Sequence, residues 1–265
     1  MIPMPQSSNR SEAVVEARVI AGKTWLPFGA GLLGVYVLFE ASARWLGSDR
    51  GQAGWIVGAL VVSATLLAER LFLGEGFAGG LRVLGVPAAR GIAAAAGTAA
   101  LLLLVVPVYA DLTHAELRLV PGWVALLPGL FAQAGIAEEI LFRGYLFGHL
   151  RRGRTFWRAA LLATGPFVLV HFALLLTMPW TVAAASILLA ATISFPLAHL
   201  FELGGRTVWA PALVHWVVQS VVKVIALEGT ASSFAVVWIV ASAALPFVVF
   251  LVPRDTRPGG RAPES

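Results

Sequence analysis

The stretch GWVALLPGLFAQAGIAEEILFRGYLF, residues 122–147, decides the fold. It is apolar enough and long enough to cross a bilayer, which takes about 20 residues of helix. Yet Glu138, Glu139 and Arg143 lie well inside its ends. Ionisable side chains at membrane depth are costly and mark functional positions. The rest of the chain must therefore supply a membrane setting in which these three charges are tolerated.

Working outward, the composition supplies it. The chain has 265 residues, 58% hydrophobic and only 12% charged. Soluble proteins carry about a quarter charged residues. A soluble globule of this size could not cover its surface with so few charges, and a disordered chain would be more charged and less apolar. With no cysteine, disulfides, thiolate nucleophiles and Cys-bound metals are excluded. Apolar runs recur at about 25–46, 54–74, 91–110, 122–147, 159–177, 181–202, 207–227 and 232–252. They predict an all-α polytopic transmembrane bundle of about eight spans. Gly58, Pro107, Pro128 and Pro196 fall within these runs and are compatible with membrane helices. Residues 1–24 read as a polar cytoplasmic segment rather than a signal peptide. Residues 25–252 read as a single transmembrane bundle, and 253–265 as a flexible cytoplasmic tail. The loop at 75–90 has room for a short interfacial helix, and no internal repeat is present.

Charge orients the bundle. With both termini in the cytoplasm, the inner segments hold Arg10, Arg18, Lys23, Arg70, Arg82, Arg90, Arg151, Arg152, Arg154, Arg158, Arg206, Arg254, Arg257 and Arg261. Only Arg50 and Arg118 fall outside. This is the positive-inside pattern. The net charge of +5 is thereby explained by topology rather than by nucleic acid. Trp25, Trp45, Trp55, Trp123, Trp157, Trp180 and Trp209 fall near span ends, where an aromatic belt belongs.

The ionisable residues read inside the spans are Glu40, Glu138, Glu139, Arg143, His171, His199, Glu202, His215 and Lys223. Arg44 and Lys223 read as boundary anchors, and Glu40 as the i,i+4 partner of Arg44. Glu202 reads as solvated near the cytoplasmic boundary, and His114 and His149 are given no role. Glu139 and Arg143 are also i and i+4, with the acid first, which is the favoured order for a helix ion pair. Neighbouring helix residues lie about 100° apart, so Glu138 points elsewhere and lacks that partner. A free carboxylate in a poorly solvated cavity suits general base work. Counted from the inner ends of their spans, Glu138, His171 and His215 lie at depths that agree to roughly 6 Å. One cavity in the cytoplasmic half could hold all three, with His199 shallower.

These motifs resemble a known family. GIAEEILFRGYLFGHL (135–150), GPFVLVHF (165–172) and RTVWAPALVHWVVQS (206–220) carry EExxxR, FxxxH and a helix that opens on Trp-x-Pro. In that order they resemble the CPBP intramembrane proteases, which include the CAAX prenyl proteases and bacterial abortive-infection and bacteriocin-processing proteins. The resemblance spans about 122–227, the expected catalytic core. It implies a glutamate-type intramembrane endopeptidase in which Glu138 and His171 activate water and His215 and Gln219 stabilise the oxyanion. Glu139, Arg143 and His199 would support the site. The family has Asn where this chain has Gln219, a longer stem bearing the same carboxamide donor. No cofactor is expected; Glu138, His171 and His215 holding Zn²⁺ is the minority reading.

The chain lacks HExxH, the GxGD aspartate motif and GxSG, which removes the zinc site-2, aspartyl and rhomboid types. The expected partner is a membrane-associated protein or peptide substrate, lipidated or carrying a sorting signal, and the expected location is the bacterial cytoplasmic membrane. A non-catalytic immunity or scaffold protein of the same fold, and a proton-coupled transporter, are the alternatives.

Overall fold

A computed structural model describes residues 8–48, 51–87, 89–228 and 231–252, with side chains from Trp25 onward except at 231 and 232. The expected tail at 253–265 and Arg50 lie outside the described residues, as do the side chains of the N-terminal segment. The described residues form nine helices and one short ribbon. These are α1 (Ser8–Trp45), α2 (Gly54–Leu73), α3 (Phe77–Val83), α4 (Ile92–Thr113), β1 (Leu117–Leu119), α5 (Trp123–Leu150), α6 (Phe156–His171), α7 (Trp180–Leu203), α8 (Trp209–Val224), β2 (Ile225–Leu227) and α9 (Ala231–Ala244). Helix α6 runs on as a 3₁₀ turn over Phe172–Leu176, and α9 over Leu245–Leu251.

Among the described residues, seven helical segments are long and apolar enough to cross a membrane: Trp25–Trp45, Gly54–Leu73, Ile92–Thr113, Trp123–Leu150, Phe156–Leu176, Trp180–Leu203 and Ser233–Leu251. They coincide with seven of the eight expected spans. The remaining run, expected at 207–227, is α8. Its 16 residues make about 24 Å of helix, short of the roughly 30 Å hydrocarbon core. Most of its side chains are buried, because it packs among α4, α5 and α7. Its run ends in β2, which pairs antiparallel with β1, Leu117 opposite Leu227 and Leu119 opposite Ile225. On this ribbon Arg118 bridges Glu116 and Glu228, both at 3.0 Å. The Arg118 hydrogen bond, with its charge, holds the Glu116 carboxyl below the usual carboxylate range.

Small residues let the inner helices close up. A Cβ on Gly54 would meet the Gly129 carbonyl at 2.1 Å, and one on Gly58 the Ala132 carbonyl at 2.8 Å. This Gly-x-x-x-Gly face of α2 lies directly on the α5 backbone, the usual solution for helices that lack a hydrophobic drive in lipid. The outer faces are apolar and exposed, with Leu26, Trp45, Leu176 and Trp180 among the most open side chains. Soluble monomers do not leave such surface uncovered. Trp45, Trp55, Trp157 and Trp180 are exposed as a belt requires. Trp209 departs from that expectation: it is partly buried, and its indole N–H donates to the Val86 carbonyl at 2.7 Å.

Candidate active site

Helix α5 is wound unusually. Phe131–Ala137 and Ile140–Phe147 are π-helical, and Glu138 and Glu139 sit at their junction. Such wide turns are rare and often accompany functional sites. Helix α8 crosses just here. A Cβ on Gly135 would lie 3.1 Å from the Ala212 carbonyl. From that contact, one turn along each helix brings Glu139 to His215.

Glu139 is fully buried, and its Oε1 accepts from two donors. Arg143 Nη1 lies at 3.2 Å, the expected i,i+4 pair, and His215 Nδ1 at 2.6 Å. The second donor was not legible from spacing. A carboxylate can only accept, so His215 Nδ1 carries the hydrogen. The guanidinium of Arg143 is itself buried and lies 4.4 Å from the centroid of the Phe167 ring.

Glu138 occupies the other edge of the same imidazole. Its Oε2 is 3.7 Å from His215 Nε2, beyond hydrogen-bond range. Its side chain keeps 16% of its surface exposed, against 0% for Glu139. From spacing alone the two carboxylates diverge, with Glu138 lacking the Arg143 partner and sharing a cavity with His171 and His215. Both nevertheless face His215, Glu139 at Nδ1 and Glu138 at Nε2. The outcome is one committed carboxylate and one uncommitted carboxylate.

His171 ends α6, partly exposed. Its Nδ1 lies 2.7 Å from the Phe167 carbonyl. That oxygen can only accept, so Nδ1 is the donor, and the lone pair of the neutral ring is on Nε2. The Phe167 ring stands edge-on to His171 at 5.0 Å and to His215 at 6.4 Å, and meets Phe142 at 4.8 Å. Phe167 is thus the hub of the site. The FxxxH spacing contained it, yet gave it no role. No hydrogen bond or ion pair joins His171 to Glu138 among the described residues. Gln219 lies one turn beyond His215 on α8, partly buried, and its carboxamide makes no hydrogen bond among the described residues.

Other expected site residues lie elsewhere. His199 is buried on α7 against Phe250, 4.5 Å between ring centroids, and Phe156, with Nε2 3.4 Å from the Val252 carbonyl. These contacts are with α6 and with the 3₁₀ turn that follows α9. Glu202 is not solvated as expected: its side chain is 14% exposed and ion-paired with Arg151. Glu40 pairs with Arg44 at 3.4 Å, as the spacing predicts. A buried pair was missed, Glu69 on α2 with His149 on α5, at 2.7 Å. Its signal was available, since Glu69 falls inside an apolar span. As for the minority zinc reading, no group of three or more His, Cys, Asp or Glu residues is arranged to hold a metal among the described residues. Glu138, His171 and His215 do not fit such a site.

All six of Glu138, Glu139, Arg143, His171, His215 and Gln219 fall within 120–221, the stretch that matches the family model described as type II CAAX prenyl endopeptidase Rce1-like. Over this part of the chain, residues 120–221 are similar to the Rce1-like family. No curated protein and no solved structure matches the chain. The Rce1-like region covers α5 to α8, in accord with the resemblance read from the three motifs. With its apolar helices it identifies an integral membrane protein having the fold of a CAAX-type intramembrane protease.

Proposed function

We propose that the chain hydrolyses a peptide bond of a membrane-associated protein or peptide by a glutamate mechanism. The observation that carries this reading is the contrast between the two acids. Glu139 is spent on Arg143 and His215, whereas Glu138 faces the same imidazole at 3.7 Å and makes no hydrogen bond among the described residues. Glu138 takes a proton from water as the water oxygen attacks the peptide carbonyl. His171 Nε2 accepts a hydrogen bond from that water and orients it. As the new C–O bond forms, the carbonyl oxygen becomes an oxyanion. His215 Nε2–H and the Gln219 carboxamide donate to it. Collapse breaks the C–N bond, and the proton held by Glu138 passes to the departing amine.

The arrangement explains Glu139 as well. His215 already donates from Nδ1 to Glu139, so to serve as an oxyanion donor as well it must carry hydrogen on both nitrogens. Arg143 fixes the carboxylate in turn. Gln219, with its longer stem, takes the place of the family's Asn at the second donor.

The substrate is proposed to be lipidated or to carry a sorting signal, and the site to face the cytoplasmic half of a bacterial membrane. The family match favours hydrolysis over the transporter and non-catalytic alternatives. Comparison of membrane proteomes from cells with wild-type protein and Glu138→Gln tests this reading. An accumulating precursor in the variant supports it and names the substrate. A phenotype that survives Glu138→Gln with no precursor overturns it.

A further inference from the structure

The Rce1-like region leaves α1 outside, yet α1 reaches the site. Tyr36 is half-buried near the middle of the apolar part of α1. Its hydroxyl lies 3.1 Å from Glu40 Oε1 and 3.4 Å from the carbonyl oxygen of Val170, the residue before His171. It is also within electrostatic range of Glu138. Helix α1 packs along α2 and meets α5, but among the described residues it makes only slight contact with α6. The Tyr36 hydroxyl therefore spans a seam between α1 and α6 that little else closes. Exposed apolar side chains adjoin it in sequence on both sides, Leu33 and Val37 on α1, Leu169 and Phe172 on α6.

We propose that Tyr36 is a positioning residue of the active site: its hydrogen bond to the Val170 carbonyl holds the turn that presents His171 across the α1–α6 seam. This rests on the reading of His171 as the group that orients water. Val170 and Phe167 together fix the ring, one carbonyl taking the phenol hydrogen and the other taking His171 Nδ1–H. The phenol has a single hydrogen and two acceptors. Removing Glu40 leaves that hydrogen wholly to Val170, whereas removing the phenol oxygen frees the turn.

The test uses the full chain in lipid nanodiscs with a farnesylated CAAX peptide as the probe. Loss of one hydrogen bond in Tyr36→Phe is expected to lower kcat roughly 3- to 10-fold with KM little changed. Glu40→Ala is expected to keep kcat within about twofold, since the bond that matters is retained. In parallel, ¹⁵N-histidine spectra are recorded. The chain has five histidines, and the His171 ring is assigned through His171→Gln. Tyr36→Phe should move the His171 ring signals and leave those of His149 and His199 in place, which also shows that the variant is folded. An unmoved His171 signal, a wild-type kcat, or a loss carried by KM alone overturns the proposal. If wild type leaves the peptide intact while Tyr36→Phe still moves the His171 signal, the hydrolytic reading fails with this substrate class and the positioning role stands.

Discussion

At the scale of single residues, two adjacent acids have opposite environments. Glu139 has no exposed surface and shares one oxygen between a guanidinium and an imidazole. Glu138 has surface left and no bond shorter than its 3.7 Å approach to His215. Glu138→Gln should therefore remove at least about 100-fold of kcat, the scale of a general base, with an unchanged melting temperature. Glu139→Gln should behave differently. It strands the buried Arg143, and breaking such a pair costs on the order of 3 kcal/mol. Thermal unfolding in detergent should show the loss, together with reduced activity. Gln219→Leu tests the second oxyanion donor: a loss of about 100-fold in kcat is expected, and full activity would remove Gln219 from the mechanism. The Glu139–Arg143 pair was legible because both residues belong to one helix and spacing alone sets their distance. The His215 bond was not, because it depends on where two helices cross.

At the scale of elements, that crossing is set by small residues. Gly54 and Gly58 seat α2 on α5, and Gly135 lets α8 approach within contact of the α5 backbone. The span ends were legible from apolar run length and agree within a few residues. The short α8 was not, since an apolar run has the same composition whether it faces lipid or packs inside the bundle. The β1–β2 ribbon, three residues on each side, gives too short a signal to separate from span ends. Gly135→Leu should push α8 away and cost about 1–3 kcal/mol of overpacking. Its activity loss should exceed its stability loss, because His215 is displaced with the helix. Equal activity of folded Gly135→Leu and wild type would show that the crossing does not position His215.

At the scale of the whole molecule, orientation was argued from Lys and Arg placement alone. The chain lacks cysteine, so single introduced cysteines can be read without background. An impermeant maleimide should label Arg118→Cys, on the exposed ribbon, in intact cells, and Arg152→Cys only after permeabilisation; both side chains are exposed. The reverse pattern would invert the assigned topology. Chelators that strip zinc should leave hydrolysis of the farnesylated peptide unchanged, as expected of a glutamate mechanism; restoration by added zinc after a chelator-induced loss would overturn that mechanism.

The winding of α5 has a consequence best put as phase. A π-helical turn spends one more residue per hydrogen bond than an α-helical one. The direction in which Glu138 and Glu139 leave the helix is therefore a sum over the residues that precede them from Phe131 onward. Deleting Ala134 alters no proposed functional group, yet it advances both carboxylates by one position against His215. Its effect should match the loss of the carboxylates themselves. The active site would then be specified by a count as well as by chemistry, and a one-residue change in length could extinguish it in a chain that keeps every proposed catalytic side chain.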